Sequence, residues 1–105
     1  KDTREIIDIR NLDYQDYKDI HTKIADNIWQ NALDAVKVAQ KFNIETAWYS
    51  KLKNAYNIRE KYSKGFWLSL YIYFDLREKA LFLEDEKLLE QIDKAFHSQD
   101  WKGLL

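Results

Sequence analysis

Phe66-Trp67-Leu68-Ser69-Leu70-Tyr71-Ile72-Tyr73-Phe74-Asp75-Leu76 is the stretch on which the fold turns. Phe66, Leu68, Leu70, Ile72, Phe74 and Leu76 alternate with Trp67, Ser69, Tyr71, Tyr73 and Asp75, the pattern of a strand with one face buried. The run continues unbroken into Arg77-Glu78-Lys79-Ala80, residues that favour helix. Ile7-Asp8-Ile9-Arg10 offers a partner strand, but two strands alone make a marginal sheet. The expected fold is therefore all-α, a compact antiparallel bundle of about four helices forming a single domain over residues 1–105. An α+β fold with a short strand at 66–75 stands as the alternative.

Outward from this stretch, only Gly65 and Gly103 interrupt the chain and there is no proline, so long helices are permitted. Asp13 or Asp16 can cap a first helix reaching Phe42, with Asn43 as a left-handed stop. Along it Ile20, Ile24, Ala25, Ile28, Trp29, Ala32, Ala35, Val36 and Ala39 fill an arc of about 180°. Asp16, Asp19, Lys23, Asp26, Gln30, Asp34, Lys37 and Lys41 gather opposite. A second helix is expected from Ile44 to about Ser63, stopped by Gly65. Phe66 to Leu83 makes a third, apolar nearly all round in its first half and so expected to be buried. A fourth runs from about Asp85 to His97, and the tail around Trp101 folds back.

Composition narrows the function. The chain has 105 residues, enough to bury one core without metal or disulfide staples. Zero cysteines exclude disulfides, thiolate zinc sites and thiol chemistry, and a cytoplasmic setting is the default expectation. The net charge of −1 gives no overall steering towards nucleic acid or an anionic membrane. The charge is uneven, however: residues 51–65 carry a net +4 between acidic flanks. The longest apolar run, Phe66 to Phe74, is too short to span a bilayer. The chain opens on Lys1, which suggests a processed or excised piece.

Three ionisable residues lie on otherwise apolar stripes: His21, Arg59 and Asp75. A charge in such a place is costly unless paired, so the three are expected to form an internal polar network, with Arg59 and Asp75 as the ion pair. The two histidines sit in separate segments without ligand spacing, so no metal site is expected. No nucleophile, glycine-rich phosphate loop or carboxylate dyad stands out. Neither enzymatic activity nor a cofactor is expected.

Val38, Ala39, Phe42, Ile44, Tyr49 and Leu52 fall at the apolar spacings of a helix-turn-helix, with small Ala39 at the close approach and Asn43 at the turn. Residues 35–57 thus resemble helix-turn-helix DNA-binding proteins, though Glu45 and Trp48 depart from the pattern. The resemblance implies that Thr46, Ala47, Ser50, Lys51 and Asn54 face a DNA groove. At the other end, Lys79 to Trp101 is similar to the last helix and tail of immunity proteins against pediocin-like bacteriocins. Those are antiparallel four-helix bundles.

The leading expectation is a non-enzymatic helical module that acts by binding another protein. Tyr49, Trp67, Tyr71 and Trp101 are its candidate interface anchors, because large aromatic rings dominate binding energetics. Nucleic acid is the alternative partner.

Overall fold

The computed structural model describes residues 14–52 and 54–105, with backbone alone at Tyr14 and Ser50. It contains three α-helices, α1 (Tyr14–Lys41), α2 (Ile58–Phe82) and α3 (Glu86–Ser98), and two 3-10 turns, Tyr49–Leu52 and Trp101–Leu104. The all-α expectation holds, with three helices among the described residues rather than four. Residues 66–75 lie within α2, so the strand alternative falls. Its proposed partner, Ile7–Arg10, and the candidate cap Asp13 lie outside the described residues.

The expected second and third helices are replaced by one helix with a different start. Residues 44–52 and 54–57 form an irregular strap, and α2 begins only after Asn57. The Asn57 side chain accepts the Glu60 N–H (2.8 Å), while the Glu60 carboxylate accepts the Tyr56 N–H (3.0 Å). This reciprocal cap fixes the first turn. The Tyr56 amide holds the Glu60 carboxyl below its usual range, with burial opposing it and Lys64 adding to it. Gly65 is not a stop. It is buried inside α2, where an added Cβ would lie 2.9 Å from Ile28 Cγ2. Glycine here permits close helix packing.

Each helix ends the same way. Asn43, Glu84 and Gln99 take positive φ, and the residue after each returns its N–H to the carbonyl five residues back. Those bonds run from Ile44 to Ala39, Asp85 to Ala80 and Asp100 to Ala95, closing Schellman-type ends. Asp85 then caps α3 by accepting the Leu88 N–H at 3.0 Å.

Contacts along the chain give the directions. His21 meets Tyr62, Asp26 pairs with Lys61, and Ile28 lies against Gly65. Further on, Trp101 bridges Asn31 of α1 and Ser69 of α2. Thus α1 and α2 run parallel, which corrects the antiparallel expectation. The strap makes this possible by running back along α2. Ile44 and Glu45 lie beside Lys79 and Phe82, Tyr49 beside Asp75, and the Asn54 carbonyl beside Lys64. From the tight turn at 83–85, α3 returns antiparallel to α2, with Tyr73 stacked on Phe96 at 4.2 Å.

Small residues let the parallel pair close up. Ala25, Ala32, Ala35, Val38 and Ala39 on α1 are buried, as are Leu68, Ile72, Leu76 and Ala80 on α2. Trp101 is fully buried where α1, α2 and α3 meet. Its backbone N–H bonds Asn31 Oδ1 (2.9 Å) and its indole N–H bonds Ser69 Oγ (2.8 Å). Both polar handles of a buried tryptophan are thereby satisfied. Asp34, placed on the polar face by periodicity, is instead buried, with Gln30 Nε2 donating to it at 3.2 Å.

Candidate protein-docking face

The sequence makes residues 66–74, the middle of α2, apolar on nearly every side, whereas the fold covers one side of them. Gly65, Leu68, Ile72, Leu76 and Ala80 face inward. Phe66, Trp67, Tyr71, Phe74 and Leu81 are each about half exposed on the other side, and Leu70 is half-buried among them. The expectation that this segment is wholly buried is therefore corrected. Trp67, Leu70, Phe74, Arg77 and Leu81 follow one another at steps of three and four residues, which aligns them as a single stripe.

Rings brace one edge of the stripe. Trp67 stacks on Tyr71 (5.4 Å, 24° between planes), and Tyr71 meets the edge of Trp48 (5.6 Å, 82°). Trp48 in turn packs on buried Tyr49 at 3.9 Å. The Tyr49 hydroxyl donates a hydrogen bond to Asp75. Burial first, and then the Asp75 carboxylate, push the Tyr49 hydroxyl well above its usual pKa. The exposed rings are thus continuous with a fixed interior and lose little freedom when something docks on them.

Of the four expected anchors, Trp67 and Tyr71 are exposed on this face. Tyr49 and Trp101 are buried and serve the core instead. Their hydroxyl and indole N–H already have partners within the chain. Phe66, Phe74 and Leu81 are members of the face that the sequence reading missed. The seven-residue spacing was the signal for Phe74 and Leu81.

The expected polar network does not assemble. Arg59 is exposed in the first turn of α2 and Asp75 lies sixteen residues further along the same helix, about 24 Å away at the helical rise. Asp75 takes Tyr49 as its partner, and half-buried His21 lies 3.4 Å from the Tyr62 hydroxyl and 4.5 Å from the Tyr17 ring. Splitting α2 at Gly65 wrongly puts Arg59 and Asp75 on facing helices.

The helix-turn-helix geometry is likewise overturned. After Asn43 the chain forms the strap, whose one regular piece among the described residues is a four-residue 3-10 turn, so no recognition helix follows α1 among them. Thr46 accepts a bond from Gln40, Ala47 donates its N–H to Glu45, Lys51 is exposed and Asn54 gives its carbonyl to Lys64. The Ser50 side chain lies outside the described residues. The four helices implied by the immunity-protein resemblance are not found either: three are present among the described residues.

A cleft of about 360 Å³ under the end of α3 is lined by Ile28, Tyr62, Phe66 and Phe96, with His97 at its rim. His97 Nδ1 is engaged by the Asp93 carbonyl at 2.7 Å. Among the described residues there is no cluster of three or more acidic or histidine side chains placed to hold a metal ion. Nor is any helix among them long and apolar enough to cross a membrane. No protein-family model, curated protein or solved structure matches the chain.

Proposed function

We propose that the chain is a helical protein-interaction module that docks a partner along the outer face of α2. The observation that supports this is the half-exposed stripe of Trp67, Leu70, Phe74 and Leu81, joined by Phe66 and Tyr71. Half-exposure of five large side chains leaves on the order of 500 Å² of apolar surface in one place, at the upper end of what monomers carry without a use for it. Aromatic rings with a neighbouring arginine, Arg77, are the residue types that carry binding energy at protein interfaces.

The test compares the native chain with Trp67→Lys and Phe74→Lys as immobilised baits in lysate of the source cells. Circular dichroism first establishes that the variants keep the fold. The expected result is a partner held by the native chain and lost by both variants. Identical capture by all three baits would reject the α2 face as the docking surface.

A further inference from the structure

We infer that the occupant of this face is a second copy of the chain, which lays its own α2 antiparallel on the first. The inference rests on the docking-face reading above and adds the partner and its direction. Two helices whose apolar residues recur every seven positions pair along that seam, knobs into holes. The stripe runs from Ser63 to Leu81, so an antiparallel copy matches it fully when centred at the level of Ile72. Leu70 then faces Phe74 of the second copy, and Ser63 faces Leu81. Trp67 faces Arg77, five residues to either side of the centre, and a guanidinium over an indole face is favourable. Each contact occurs twice by symmetry, as a closed two-fold dimer requires.

Charge fixes the direction. Lys64 and Glu78 flank the stripe on the same edge, seven residues to either side of Tyr71. Antiparallel pairing sets Lys64 of each copy, whose ammonium also meets Glu60 (3.5 Å) and the Asn54 carbonyl (3.2 Å) of its own chain, beside Glu78 of the other, giving two opposite-charge pairs at the rim. Parallel pairing would instead set Arg59 beside Lys64 of the second copy, like against like. The five half-exposed apolar side chains supply on the order of 500 Å² per chain. With Leu70 and Arg77 in the seam and Lys64 and Glu78 at the margins, the contact approaches the ~800 Å² per partner of a standard stable interface.

Sedimentation of the intact chain at about 100 µM tests this, a concentration at which micromolar association fills the dimer. A dimer is expected. Lys64→Glu alone and Glu78→Lys alone should each weaken it about tenfold or more, because each puts two like-charge pairs at the rim. Mixing the two variants should restore the dimer. In the mixed pair the introduced glutamate meets the introduced lysine at one rim contact, and the native Lys64 meets the native Glu78 at the other. The mixture also controls for any effect of either substitution on its own chain. A monomeric native chain, or a mixture no better than its components, overturns self-pairing. Capture that depends on Trp67 and Phe74 would in that event still support the docking face with a different protein on it.

Discussion

Gly65→Ala sets two opposed effects against each other, and the geometry decides between them. In a helix interior, alanine is favoured over glycine by about 1 kcal/mol. Against this, the new Cβ would lie 2.9 Å from Ile28 Cγ2 and 3.3 Å from the Ile28 carbonyl oxygen. Comfortable carbon–carbon contact begins near ~3.5 Å. The methyl cannot swing away, because a β-branched side chain has one strongly preferred rotamer in a helix. The helices must separate by a few tenths of an ångström, and overpacking of this kind costs about 1–3 kcal/mol. The expected net result is a loss of about 1 kcal/mol. Replacing Ile28 by alanine removes Cγ2, and in that background Gly65→Ala should become neutral or stabilising. The double-mutant cycle, read by urea denaturation at 222 nm, should therefore show a coupling of about 1–3 kcal/mol. A gain in stability from Gly65→Ala in the native background would mean that α1 and α2 are not in close contact here.

Other expectations follow from the caps and the buried aromatics. Glu84→Gly and Gln99→Gly should each stabilise by roughly 0.5–1 kcal/mol, since both residues hold positive φ that glycine adopts freely; unchanged or lower denaturation midpoints would contradict this. Trp101→Ala should cost about 3–5 kcal/mol and Trp101→Phe clearly less, the latter leaving Ser69 without its indole donor; equal losses would mean that the ring itself is not what holds the tail. Tyr49→Phe should cost about 1.5–3 kcal/mol at neutral pH by removing the donor to Asp75. Because folding raises the Tyr49 pKa, its contribution is complete below about pH 10, where the unfolded tyrosine titrates, and is lost as pH rises beyond that. The Tyr49→Phe variant should accordingly lose less stability above about pH 10 than the native chain, and parallel pH curves would refute the assignment.

How much of this was legible in the sequence depended on whether an element is covered on one face. In α1 and α3 the polar and apolar residues separate well enough, exposed Ile20 and Ile24 and buried Asp34 apart, that the pattern places both helices to within a residue or two. The strap reads as helix because Trp48, Leu52, Ala55 and Tyr56 happen to fall on one helical face. The competing signal, Asn57 followed three residues later by Glu60, is present and marks the true start of α2. Once the strap is taken for a helix, its length is hidden, and with it the route by which α1 and α2 come to lie parallel. Gly65 shows a second limit, because a glycine in sequence does not distinguish a helix end from a close crossing. The docking face shows a third. A segment apolar on nearly every side looks the same whether its own chain or another molecule covers it, so sequence alone assigns Phe74 to the interior and offers Tyr49 and Trp101 as surface anchors.

The parallel arrangement of α1 and α2 also sets an order of assembly. Tyr73 and Asp93, which join α2 to α3, are 20 residues apart along the chain, whereas His21 and Tyr62, which join α1 to α2, are 41 apart. Asn31 and Trp101 are 70 apart. Each doubling of a loop adds only about 0.6 kcal/mol to its closure, so these differences bear on the route more than on the final stability. Local contacts form first and distant ones later. The α2–α3 hairpin is thus the natural nucleus, and α1, although made earlier, docks onto it afterwards. During synthesis its row of alanines stays open to water at least until α2 has been made, and alanine is well suited to that wait. It favours helix more than any other residue and exposes too little apolar surface to draw in the wrong neighbour.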